Sequence, residues 1–143
     1  MFTLEECFER GLLRKTQPSA QKATRSLDQA RVWLEEARIT YRAEAYRSAL
    51  VAAYMAYFHA ARAILFRDGL REKSHGCILL YLESYAQKGL IDHTWVERFD
   101  QVMSIRNEDQ YTLGAEPFPG EIKSILEYAP EFIQIIEQIL GPQ

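Results

Sequence analysis

The sequence predicts an all-α, up-and-down bundle of four to five main helices, and three observations lead there. The stretch YRSALVAAYMAYFHAARAILFRDGL, Tyr46 to Leu70, is apolar on nearly every side, as a helix enclosed by other helices must be. Just before it, Leu27, Ala30, Leu34 and Ala37 repeat at spacings of three and four, which makes one buried helical stripe. Finally, no stretch shows sustained strand alternation, a Gly-rich phosphate loop or an internal repeat.

Taken in order, Thr3 caps a first short helix with Glu6 as its capping-box partner, running to about Lys15 within an N-terminal segment of residues 1–17. Pro18 interrupts it and Ser19 opens the second helix, about Ser19 to Thr40. The brief link from Tyr41 to Ala45 predicts an antiparallel hairpin with the central helix. Small residues on the central helix (Ala49, Ala52, Ala53, Ala56, Ala60, Ala61 and Ala63) allow close approach of its neighbours. Arg47, His59, Arg62 and Arg67 make it too polar for a membrane span. Gly69 ends it, and residues 71–76 read as a polar loop. A fourth helix follows from Cys77 to about Lys88, stopped by Gly89. A fifth, capped by Asp92, reaches Asp109. Residues 112–120 form a Gly- and Pro-containing loop. The last helix spans about Glu121 to Leu140, with Pro130 expected to kink it.

With 143 residues, 48% hydrophobic and 26% charged, the chain (1–143) is expected to be a single soluble domain. The N-terminal segment carries Glu5, Glu6, Glu9 and Arg10 and lacks a signal-peptide apolar run, so a cytoplasmic location is expected, with no membrane association. In that compartment Cys7 and Cys77 are expected to be buried thiols rather than a disulfide. A net charge of −3 argues against a generic nucleic-acid coat. The charge is uneven: Arg14–Arg47 holds eight basic and four acidic residues, whereas Glu116–Gln143 holds five acidic residues and Lys123. These read either as solvated faces of opposite sign or as a basic surface for phosphates or a partner.

Among candidate functional residues, Arg106 extends the apolar stripe of Phe99, Val102 and Met103. An arginine there needs an anion or acceptors because it cannot shed its charge. It either snorkels at the end of the helix, pairs with Asp109 at i+3, or binds phosphate in a groove. Tyr111 lies five residues on and diverges by about 140° on a continuous helix; the two meet only if the helix loosens near Asp109. Asn107 supplies a neutral hydrogen-bonding group. His59 and Arg62 share one face of the central helix, where a structural histidine is the ordinary case. His75 and His93 are expected at the surface. No histidines have helical ligand spacing with a carboxylate, so no metal site is read, and no cofactor is implied.

The segment AYRSALVAAYMAYFHAARAILFRDGLREKSHGCILLYL, followed by a glycine, an Asp-capped helix and RNEDQY, resembles the HEPN superfamily over roughly Ser19 to Tyr111. It is most similar to small stand-alone prokaryotic members. The resemblance implies a homodimer whose Arg motifs face each other. Many members resemble metal-independent ribonuclease toxins paired with a minimal nucleotidyltransferase, carrying an Arg, four to six residues, then a His. Arg106 and Asn107 match that motif, but Tyr111 stands where the histidine is expected, and Arg71 with His75 does not restore the spacing. A tyrosine, with a reference pKa of about 10, is a poor base at neutral pH. In some pairs a HEPN tyrosine near the motif receives AMP.

Three readings follow. The first is a dimeric nucleotide- or RNA-phosphate-binding component of a toxin–antitoxin-like system, with a nucleotidyltransferase partner and a degenerate ribonuclease motif. Its ligand-binding residues would be Arg106, Asn107 and Tyr111, with His59 and Arg62. The second is an active metal-independent ribonuclease toxin with Arg106 as a catalytic residue and Tyr111 or His59 compensating for the missing histidine. The third is a non-catalytic helical interaction module with a structural Arg106.

Overall fold

The computed structural model describes residues 2–111 and 117–142, except for the side chains of residues 109–111. Six helices and a two-stranded ribbon occur among the described residues: α1 (Leu4–Glu9), β1 (Leu13–Lys15), α2 (Ala20–Arg42), α3 (Tyr46–Asp68), β2 (Leu70–Glu72), α4 (His75–Gln87), α5 (His93–Tyr111) and α6 (Pro119–Leu140). The all-α bundle is thus present, with α2 and α3 as its hairpin and α6 packed across both.

Local chemistry starts the helices where the sequence indicates. The Thr3 hydroxyl accepts from Glu6 N–H while the Glu6 side chain returns to the Thr3 N–H. The Ser19 hydroxyl accepts from Lys22 N–H at 3.0 Å, and Asp92 accepts from Thr94 N–H at 2.8 Å. At the far end of α3, Gly69 takes a left-handed φ of 78°, which costs a glycine little. Pro130 lies within α6, which is helical on both sides of it.

Two expectations are corrected at the N-terminus. The first helix ends at Glu9 rather than near Lys15, and the chain turns at Gly11 with φ 68°. It then extends as β1, antiparallel to β2, with Leu13 opposite Glu72 and Lys15 opposite Leu70. Thr16 N–H to Gly69 O and Lys73 N–H to Leu12 O continue the pairing, both at 2.8 Å. Cys7 and Cys77 are fully buried as expected, but they form a disulfide, with Cα atoms 6.0 Å apart. The ribbon supplies the reason: it brings α1 alongside the start of α4, so the two side chains meet. The fourth helix also begins two residues earlier than expected, at His75.

α3 is the core. Its Ala49, Ala53, Ala56, Ala60 and Ala63 are fully buried, as are Leu50, Tyr54 and Ile64. By length and composition this helix could cross a membrane, but 72% of its most apolar window is buried inside the bundle. Tyr57, Phe132 and Phe99 stack in sequence, with ring centroids 4.9 and 6.2 Å apart, joining α3, α6 and α5. Opposite charges also meet: Arg31 of α2 and Glu137 of α6 are 2.6 Å apart. The basic and acidic stretches therefore partly face each other. An exposed pair of this kind contributes at most about 1 kcal/mol.

Candidate functional site

α5 is anchored by Trp95, Val96, Phe99, Val102 and Met103, all buried. One turn beyond Val102 the same stripe presents Arg106. Its guanidinium carbon lies 4.7 Å over the centre of the Tyr54 ring, a cation–π geometry. Arg106 Nη1 donates to Asn107 Oδ1 at 3.4 Å, a long bond. Arg106 Nε is buried and lacks a hydrogen-bond partner among the described residues. None of the ion pairs formed by described residues includes Arg106. The Asp109 side chain, its expected alternative partner, lies outside the described residues.

The Tyr54 hydroxyl makes the next link, 2.6 Å from His75 Nδ1. Burial pushes the Tyr54 phenol up to about 12, against the opposing pull of Arg106. His75 is therefore not the surface loop residue its neighbours suggest. As the first residue of α4 it is half-buried, with its ring 4.3 Å from Phe58 and 5.8 Å from Tyr54. Burial holds its pKa below 6.5, and the charges of Arg106 and Arg62 lower it further. The neutral imidazole consequently dominates at neutral pH.

His59 packs edge-on to the same Phe58 ring, at 5.1 Å. Its pKa is also depressed, first by burial and then by Arg62 and His75. His59 and Arg62 line a 230 Å³ cavity between α3 and α2, completed by Lys22, Arg25, Ser26, Gln29 and Phe66. Ser26 donates to the His59 carbonyl at 2.7 Å, fixing the two helices at that level. Arg62 Nε approaches Glu72 Oε1 to 2.6 Å, a charge contact without hydrogen-bond alignment. Glu72 Oε2 is buried without a partner among the described residues.

The structure thus joins Arg106 to Asn107 and Tyr54, and through Tyr54 to His75, while Arg62 and His59 also pack against Phe58. α5 remains helical through Tyr111. The loosening near Asp109 needed to bring Tyr111 towards Arg106 does not occur, and the Tyr111 side chain lies outside the described residues. The sequence does not mark Tyr54 or His75 as site residues. The available signal was the register of Tyr54 with Phe58 on one face of α3, but their link to His75 exists only in space. Three larger hollows, of 420, 440 and 330 Å³, are lined by none of these site residues. Among the described residues no group of three His, Cys, Asp or Glu side chains is placed to hold a metal ion.

Chemically, the arrangement offers a fixed positive charge, a neutral imidazole with one nitrogen occupied, and an amide from Asn107. Those groups suit an anion with oxygens to be bonded from several sides. Comparison with known proteins agrees with the fold. The HEPN domain family model matches residues 23–139. A Methanocaldococcus jannaschii protein named "Putative toxin MJ0605" is 30% identical over 108 residues, covering 75% of this chain and 80% of that protein.

Proposed function

The chain belongs to the HEPN domain family, and from that premise we propose that it is a toxin-like protein whose Arg106 site binds an RNA or nucleotide phosphate. One observation carries this reading: Arg106 is held on the Tyr54 face with its charge unanswered by any carboxylate among the described residues. A half-buried guanidinium in that condition favours an anionic ligand, and phosphate oxygens match its fork of donors. The jannaschii relative's toxin name supports the biological setting.

The finer reading is a homodimer in a toxin–antitoxin-type pair with a nucleotidyltransferase. Val32 and Ile39 support self-association: they are 54% and 50% exposed and seven residues apart on one stripe of α2. Tyr111, in the position of the family's histidine, remains a candidate for the ligand-binding set and for modification by the partner.

The test is binding of a labelled single-stranded RNA oligonucleotide, with sedimentation to report the oligomer. Arg106→Ala should weaken binding at least tenfold, as expected when a charged hydrogen bond of about 1.5–3 kcal/mol is lost. Equal binding by both proteins would refute the reading. A second reading, metal-independent RNA cleavage, is favoured by the neutral imidazole of His75 beside the same arginine.

A further inference from the structure

We propose that His75 is the proton-transfer residue of the Arg106 site, positioned by Tyr54, and that the site acts on an RNA phosphodiester with a free 2′-hydroxyl. This rests on the reading that Arg106 receives a phosphate. It supplies from α4 the imidazole that the arginine motif on α5 lacks.

The geometry has three parts. Tyr54, fully buried, carries the Arg106 guanidinium over its ring and contacts His75 Nδ1 with its hydroxyl. One phenol therefore holds both groups in a fixed relation. The Phe58 ring closes on the imidazole at 4.3 Å and restricts its rotation. The Cys7–Cys77 disulfide, two residues along α4, pins the helix start that bears His75. An acid–base group needs this kind of support, since its efficiency depends on position as well as pKa.

When His75 Nδ1–H donates to Tyr54 Oη, Nε2 keeps its lone pair. A second-group contact of this kind sets the tautomer of a working histidine. His75 Nε2 takes the proton of the ribose 2′-hydroxyl. The 2′ oxygen forms a bond to phosphorus while the bond from phosphorus to the 5′ oxygen breaks in line on the opposite side; the leaving oxygen takes a proton from water there, and the imidazolium gives its proton up to solvent. The products are a 2′,3′-cyclic phosphate and a 5′-hydroxyl end, with no metal, oxidant or other co-reactant consumed. Arg106 binds the phosphoryl oxygens as negative charge gathers on them. Burial, then the charges of Arg106 and Arg62, keep His75 neutral and able to accept a proton near neutral pH.

The experiment uses the full chain in EDTA with an RNA oligonucleotide, and the all-deoxy strand of the same sequence as a binding probe. Wild type is expected to bind both and to cleave only the RNA. His75→Gln should lose cleavage by about 10²-fold or more, the scale of a positioned acid–base group, while still binding the deoxy strand. His75→Asn, with circular dichroism on both variants, guards against a folding defect. Tyr54→Phe keeps the ring under Arg106 but withdraws the acceptor from Nδ1–H. It should move the acidic limb of the pH–rate profile to lower pH, a change that simple loosening would not produce. His93→Gln, at the Glu83–Glu97 surface pair, should cleave as wild type does. Binding without cleavage by wild type, or full cleavage by His75→Gln, would overturn the role of His75 and leave phosphate binding standing. Cleavage lost in His59→Gln but kept in His75→Gln would move the role to His59. No binding by wild type would remove the underlying reading itself.

Discussion

The guanidinium of Arg106 and the imidazole of His75 are coupled through a single buried phenol: Tyr54 offers its ring face to the first at 4.7 Å and its hydroxyl to the second at 2.6 Å. The three residues come from three helices, α5, α3 and α4, and are far apart in the chain.

A phosphate bound at Arg106 replaces condensed counterions. For single-stranded RNA, each neutralised phosphate contributes about 0.7 to the slope of log affinity against log salt concentration. Arg106→Ala should therefore flatten that slope by about 0.7. Arg106→Lys should restore much of the slope but not the affinity, because lysine lacks the planar fork. A binding titration at four salt concentrations checks both.

The two depressed histidines make folding stability depend on pH. His59 and His75 have folded-state pKa values below 6.5, so the unfolded chain binds protons more readily than the folded one. Their contribution is present in full above about 6.5 and is lost as the pH falls from there through the lower folded value. In a His93→Gln background, which removes the opposing effect of that histidine's raised pKa, urea unfolding at about pH 7.5 and 5.5 should show less stability at the lower pH. His75→Gln should reduce that difference.

The Cys7–Cys77 bond closes 70 residues of chain. Loop entropy for that length gives about 4 kcal/mol, and measured disulfides commonly give about 2–4 kcal/mol. Denaturant unfolding with and without a dithiol reductant should differ by about that amount. Reduction should leave the α2–α3 hairpin's helical signal largely intact in native buffer.

Gly69 holds φ at 78°, and a Cβ there would lie 2.8 Å from the Thr16 carbonyl oxygen and 2.8 Å from Pro18 Cγ. Gly69→Ala should destabilise by about 2 kcal/mol or more, from left-handed strain plus the clash. Urea denaturation measures it. Because Thr16 N–H bonds to Gly69 O, the same substitution should loosen the ribbon before the bundle, which hydrogen exchange at residues 13–16 would reveal.

The helices were legible because each leaves a periodic mark within its own stretch: the stripe of Leu27, Ala30, Leu34 and Ala37, the all-round apolar face of α3, and the cap at Ser19. Arg106 was legible for the same reason, as a charge continuing an apolar stripe. The ribbon was not. Leu13–Lys15 and Leu70–Glu72 are three residues each, too short for alternation to register, and each extends because the other is there. His75 escaped notice because Arg71, Glu72 and Lys73 give its surroundings a loop-like polarity. Its burial depends on Tyr54 and Phe58, residues from another helix. The disulfide followed from the same omission, since compartment argues about thiols in general and only the ribbon brings these two together.

The family match begins at residue 23, downstream of α1, β1 and Cys7. α1, β1 and Cys7 thus form a brace outside the recognised domain, joined through β2 and Cys77 to the segment from which His75 projects. A protein shortened to residues 23–139 would keep the bundle and Arg106, yet the helix start bearing His75 would be held by far less. Such a fragment should retain the anion and lose the chemistry, so its inactivity would be evidence about the missing brace rather than about the family.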